Sequence, residues 1–213
     1  MDDITDHSID AERPYLLLIL ATTGFLGCLS LVLGTLIAPL FVSDYDRVAD
    51  TISDLAAGEM EILMDIALYG FAAGLFAVAL ASAHAHLGGV GWSIGVLSLA
   101  VLGALVVVVG ARNEYGDGDS DGVVIHIYLV YGLGVFFLLA PLCMASGFGR
   151  SHAWAKWTLL ALAGVWAVAT PAFFMLPTGI DGAFERFLGL VACSLVCTMS
   201  WVFFKRGLDA AKH

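Results

Sequence analysis

The sequence predicts an all-α fold, a polytopic transmembrane six-helix bundle with both termini on the cytoplasmic side. Three observations carry that prediction. Only 13% of the 213 residues are charged while 60% are hydrophobic, and mean hydropathy is +0.92; soluble domains carry about 25% charged residues. Apolar runs near the ~20 residues needed to cross the hydrocarbon core recur along the whole chain. These runs are apolar on every side, whereas a β-barrel needs segments of about 10 residues that alternate apolar and polar. A single transmembrane domain therefore covers 1–213.

The expected spans are 15–42, 62–83, 90–109, 123–144, 153–176 and 187–204. Pro14 opens the first, where proline is tolerated. The acidic stretch before it lacks a cleavage pattern, so the first run reads as a retained span. Gly88-Gly89, the segment 116–122 and the segment 179–182 punctuate three connections. Pro141 and Pro171 lie inside spans and predict kinks or local unwinding. Gly70/Gly74 and Gly91/Gly95 place small residues one turn apart, which lets helices approach closely. Cys28, Cys143, Cys193 and Cys197 fall in or beside apolar runs and read as small buried hydrophobes. Tyr15, Trp92, Trp154, Trp157 and Trp201 stand near span ends, where aromatic rings anchor to the interface.

An even number of spans returns both termini to one side. That side holds Arg13, Arg150, Lys156, Lys205, Arg206 and Lys212, and the other holds Arg47, Arg112 and Arg186. The excess of bases places the termini in the cytoplasm. Acids divide the opposite way, with thirteen of nineteen on the outer side. The net charge of −10 excludes nucleic acid as a partner and also a polybasic grip on anionic lipid.

The first outer connection, residues 43–65, reads SDYDRVADTISDLAAGEMEILMD, with seven carboxylates and one base. Val48, Ile52 and Leu55 recur at helical spacing, which predicts a short amphipathic interfacial helix over about 46–57. Thr51 or Ser53 is suited to cap a turn there. Asp65 falls one turn inside the second span, where an ionised carboxylate needs a partner or water. The second connection carries Asp117, Asp119 and Asp121 in a D-x-D-x-D-G run. That spacing suits weak binding of calcium or another divalent cation, although Tyr128 stands where the twelfth-position glutamate belongs. A solvated turn explains the same residues. No other cofactor is expected. His126 follows at the start of the fourth span, and the third connection ends in Glu185 and Arg186. An arginine at a helix start opposes the dipole, so a carboxylate partner for it is expected, with Asp65 or Asp54 the candidates. Asp54, Asp65, His126, Glu185 and Arg186 share a side and a depth, which predicts a polar pocket at the outer mouth of the bundle.

Ser53-Asp54-Leu55 before the second span, Ile125-His126 at the end of the second loop, and Gly182-Ala183-Phe184-Glu185-Arg186 before the last span resemble a bacterial and archaeal membrane family, domain of unknown function 998. The resemblance runs through most of the chain. It implies a six-helix membrane fold with polar motifs at Ser53, Asp54, His126, Glu185 and Arg186, and it implies no activity. Glu114-Tyr115 departs from the phenylalanine-proline pair frequent in that family. A looser similarity to membrane hydrolases of the alkaline ceramidase kind draws attention to Ser53, Asp54 and His126 as candidate catalytic residues. Those enzymes hold zinc with three histidines, and His126 is the single histidine on the outer side, so a zinc site would need a carboxylate-rich ligand set.

The function expected is non-enzymatic: lipid or ligand binding, or service as an accessory subunit of a membrane complex. The alternative is a membrane-embedded hydrolase acting on lipid at the outer leaflet. A transporter is disfavoured because the span centres lack Asp, Glu, Lys and Arg. The expected partners are the lipid bilayer and either a larger complex or a second copy docked through Gly-rich helix faces. The expected location is the plasma (inner) membrane of a bacterium or archaeon, with the acidic loops extracytoplasmic.

Overall fold

The structure, a computed structural model, describes residues 13–56, 61–111 and 126–212. Seven helices occur among them: α1 (Pro14–Ile37), α2 (Ile52–Ala56), α3 (Glu61–Ala85), α4 (Val90–Ala111), α5 (His126–Ser151), α6 (Ala153–Phe173) and α7 (Asp181–Ala210). All except α2 are long and apolar enough to cross a membrane. The chain is a polytopic six-helix bundle. The first span ends earlier than expected, in one 3-10 turn over Ala38–Leu40. The last helix extends well beyond 187–204 at both ends, so its polar first turn is helical. Helix α5 continues to Ser151 and meets α6 across His152 alone. Pro141 and Pro171 are accommodated inside unbroken helices rather than by unwinding.

The six long helices form a closed ring in chain order, in which α1 packs against both α3 and α7. Glycine permits the tightest of these approaches. A Cβ on Gly27 of α1 would lie 2.7 Å from the Gly70 carbonyl oxygen and 2.8 Å from the Gly74 Cα of α3, so the two backbones touch. Gly95 of α4 receives the Met144 side chain of α5. The small residues Gly70, Gly74 and Gly95 thus face neighbouring helices of this chain. Across α1 and α7, Cys28 Sγ lies 3.6 Å from the Cys193 carbonyl. All four cysteines are free.

The outside of the ring is apolar: Tyr15, Val90, Val168 and Met175 are each more than 70% exposed. Such an exterior is stable where lipid is the solvent. Inside, the half of the ring nearest the chain termini is filled. Phe148 packs tilted between Trp92 and Phe203 at 5.1 and 5.3 Å, with Met144, Met199, Leu75 and Val78 buried in the same core. Trp92, expected as an interface anchor, is a core residue whose indole N–H donates to the Ser82 carbonyl at 2.9 Å. A ring this large must bury its nitrogen with a partner.

The opposite end is closed by the connection from α1 to α3. Of the amphipathic helix expected over about 46–57, residues 46–51 are not helical, and α2 begins at Ile52. Asp46 and Asp50 explain the difference, because their side chains compete with helical hydrogen bonding. Asp46 Oδ1 accepts the Val48 N–H at 2.9 Å, and Asp50 Oδ2 accepts the Asp46 N–H at 2.7 Å. The helix then starts at a reciprocal cap. Thr51 Oγ1 accepts the Asp54 N–H at 3.0 Å, while Asp54 Oδ2 accepts both the backbone N–H and the hydroxyl of Thr51 at 2.7 Å. This is a capping box with aspartate in the glutamate position.

A candidate ligand site in the lumen of the ring

Beneath α2 the ring is hollow. A cavity of about 380 Å³ opens there, lined from every helix of the bundle. Phe71, Phe137, Trp166 and Ala192 form its deep end, with Phe137 stacked on Phe71 at 6.3 Å and tilted against Trp166 at 4.9 Å. Phe137 lies eleven residues into α5 from His126, so the cavity runs about 16 Å down the bundle at 1.5 Å per residue. Its walls are apolar, and its polar groups gather at the α2 end. They are Thr51, Ser53, His126, Asp181 and Glu185, with Thr170 further down. An apolar pocket with a few convergent polar groups is the usual form of a small-molecule site, and 380 Å³ falls within the usual range of about 300–1,000 Å³.

Ser53, His126 and Glu185 meet at the mouth although they come from α2, α5 and α7. Ser53 Oγ lies 3.4 Å from His126 Nε2 and 3.3 Å from Glu185 Oε1. The other Glu185 oxygen accepts the Ile52 N–H at 2.5 Å. A carboxylate from the last helix thereby satisfies a backbone donor that the first turn of α2 would otherwise leave open. One hydroxyl proton cannot serve two acceptors. Where Ser53 donates to Glu185, the Ser53 oxygen is left to accept from His126 Nε2–H. That tautomer leaves His126 Nδ1 as a bare acceptor. Nδ1 is buried without a partner among the described residues, and so are Asp181 Oδ1 and Thr170 Oγ1, both in residues that line the cavity.

Arg186 does not reach the cavity. Its Nη1 donates to the carbonyls of Gly182, Asp50 and Arg47 at 2.8, 3.0 and 3.1 Å, and its Nη2 donates to the Tyr45 hydroxyl. The partners it shows are therefore carbonyls and a phenol rather than the carboxylates of Asp54 or Asp65. The guanidinium also lies over the Tyr45 ring, 5.5 Å from its centre. Burial raises the Tyr45 phenol above its usual value despite the opposing effect of Arg186. The hydroxyl thus stays protonated, and its one proton lies between the carbonyls of Asp50 and Thr51, which are 2.8 and 2.7 Å from the phenol oxygen. At the same end of α7, the N–H groups of Gly182 and Ala183 donate to the carbonyls of Ala49 and Val48 at 3.2 and 3.0 Å. Gly182 is required there, since a Cβ would overlap the Asp50 carbonyl. Together these bonds latch the loop before α2 onto the start of α7.

Of the residues singled out in the sequence, Ser53, His126 and Glu185 share the mouth of the cavity. Arg186 holds its roof, and Asp54 caps α2. Asp65 stands apart on α3. It does not line the cavity, and its Oδ1 is buried without a partner among the described residues. Asp117, Asp119 and Asp121 lie outside the described residues. Among the described residues no group of three or more His, Cys, Asp and Glu side chains is placed to hold a metal ion. Tyr45, Thr170, Asp181 and Gly182 escaped sequence reasoning as site residues. Gly182 alone carried a signal, as a glycine one residue into a helix that begins with an acid.

Comparison with curated proteins and with solved structures gives no match. One family model matches from within α1 to within α7, over residues 25–202. On that match the chain belongs to the family described as protein of unknown function (DUF998).

Proposed function

We propose that this protein binds a lipid or similar amphiphile, with its apolar chain in the lumen of the ring and its polar group under α2. The observation that carries this reading is the distribution of polarity along one cavity: aromatic and aliphatic at its deep end, hydrogen-bonding at its mouth. A solvated channel would be polar throughout, and a packing defect would be too small to hold a ligand. The excess of bases on the terminal side argues that the mouth faces outward from the plasma membrane of a bacterium or archaeon, so the outer leaflet supplies the ligand. The test uses Gly189, which lines the cavity and whose added Cβ would meet nothing within 4 Å. Native mass spectrometry of protein extracted in mild detergent is expected to show a bound amphiphile that Gly189→Leu loses while remaining folded. Retention of the ligand by Gly189→Leu would overturn the reading.

A second reading, hydrolysis of an ester-bearing lipid, is favoured by the Ser53–His126 contact. In the tautomer protonated at Nδ1, His126 Nε2 would take the hydroxyl proton as Ser53 Oγ attacks the ester carbonyl, and would return it to the alcohol that departs as the ester C–O bond breaks. Against it, Glu185 occupies the Ile52 N–H, a backbone donor near Ser53 that would otherwise be free to hold an oxyanion. Labelling with a serine-reactive fluorophosphonate separates the two. Covalent capture at Ser53, abolished by His126→Ala, selects the hydrolase, whereas an unlabelled protein that still binds its amphiphile selects binding.

A further inference from the structure

We propose that the head group held under α2 is cationic and hydrogen-bond donating, a protonated amine on a single apolar chain. The proposal rests on reading the cavity as an amphiphile site and specifies which amphiphile fits. Among the described residues the charged groups lining the cavity are Asp181 and Glu185, both acids, and no Lys or Arg lines it. Arg186, which follows Glu185 in α7, spends its donors on Tyr45 and on loop and helix carbonyls. The unsatisfied atoms tell the same story. Asp181 Oδ1 can only accept, and His126 Nδ1 can only accept once Nε2–H is committed to Ser53; both are buried without a partner among the described residues. Thr170 Oγ1 adds a third such atom deeper in.

A buried acceptor without a donor costs free energy that a ligand recovers by supplying one. An ammonium group offers three donors and no acceptor, which matches a mouth made of acceptors. A phosphate or carboxylate head would bring negative charge to a mouth already lined by two acids, where like charges repel. A hydroxyl head satisfies one or two acceptors and leaves the carboxylate charge uncompensated. The acidic loop above, with Asp44, Asp46, Asp50 and Asp54, raises the local concentration of cations in the same direction.

The experiment compares three probes with the same tail, dodecylamine, dodecanol and dodecanoate, on the full chain in lipid nanodiscs. Binding is read by calorimetry and by thermal shift, with Gly189→Leu as the blocked control. Dodecylamine is expected to bind at least about tenfold more tightly than either competitor, a difference of about 1.4 kcal/mol. Asp181→Asn and Glu185→Gln are each expected to reduce that preference to about threefold or less. Equal binding of all three probes, lost in Gly189→Leu, overturns the cationic head and leaves the amphiphile site standing. A preference for dodecanoate does the same, as does amine selectivity that survives both carboxylate substitutions. Binding of no probe, or amine binding undiminished in Gly189→Leu, overturns the amphiphile site itself. Should Glu185→Gln fail to fold, Asp181→Asn and the wild-type comparison still decide the question.

Discussion

The two halves of this bundle use the same six helices and face the same lipid, yet one is packed and the other is hollow. Near the termini, Phe148, Phe203, Trp92, Met144 and Met199 fill the ring to its axis. Toward α2, the positions that point inward include Ala56, Gly134, Gly189 and Ala192, and their small side chains leave about 380 Å³ open. An unfilled volume forfeits the dispersion contacts that hold a core together. The hollow half is therefore held by other means: the hydrogen-bonded latch that Arg186, Tyr45, Gly182 and Ala183 make with the loop, and the clasp of Glu185 on α2. Packing stabilises one end and polar bonding the other, and the polar end is the one with space for a ligand.

The same substitution placed in each half gives the sharpest contrast. Gly95→Leu drives a side chain into Met144 and the Ala140 carbonyl, and should destabilise by about 3 kcal/mol or more. Gly189→Leu grows into open space and gains helix propensity as well, so it should stabilise by about 1 kcal/mol in ligand-stripped protein. Unfolding curves in mixed micelles measure both, and a loss at both sites would erase the distinction between the halves. Next in size is Gly182→Ala, whose Cβ displaces the Asp50 carbonyl and opens the latch. Protease cleavage within the loop before α2 should rise several-fold while the packed half remains protected, and cooperative unfolding of both halves would refute the separation.

Smaller effects refine the latch. Arg186→Gln removes charged donors from several carbonyls and should cost about 2 kcal/mol, and Tyr45→Phe about 1 kcal/mol. Equal and negligible losses would show that the loop is held by burial instead. The smallest effect is that of pH. The Tyr45 phenol is raised in the folded protein because burial disfavours its anion. Its contribution is thus fully present below the ordinary phenol value of about 10, and is lost as pH rises through the higher folded value. In Tyr45→Phe that alkaline decline should flatten, while stability at neutral pH changes only by the lost hydrogen bonds.

How much of this was legible beforehand differs between fold and site. Every long helix was visible as an apolar run, because a segment crossing lipid must be apolar along its length and must satisfy its own backbone. The helix ends were less legible. Residues 181–186 are polar and look like a loop, yet they are helical because the neighbouring loop accepts the N–H groups of Gly182 and Ala183. The segment 46–57 has helical spacing, yet Asp46 and Asp50 turn their oxygens onto nearby N–H groups and delay the helix to Ile52. Shared depth drew attention to His126 and Glu185, but the same argument drew in Asp65, which stands on α3 away from the cavity.

A six-span bundle, and the loops that carry its polar residues, follow from hydropathy and length, which are properties of each segment alone. The closing of the bundle into a ring, the lumen open at one end, and the meeting of Glu185 rather than Asp65 with Ser53 and His126 arise from long-range contacts. A cavity and its mouth depend on which residues face one another across long stretches of chain, as Ser53 and Glu185 do at a separation of 132. No local pattern records that choice.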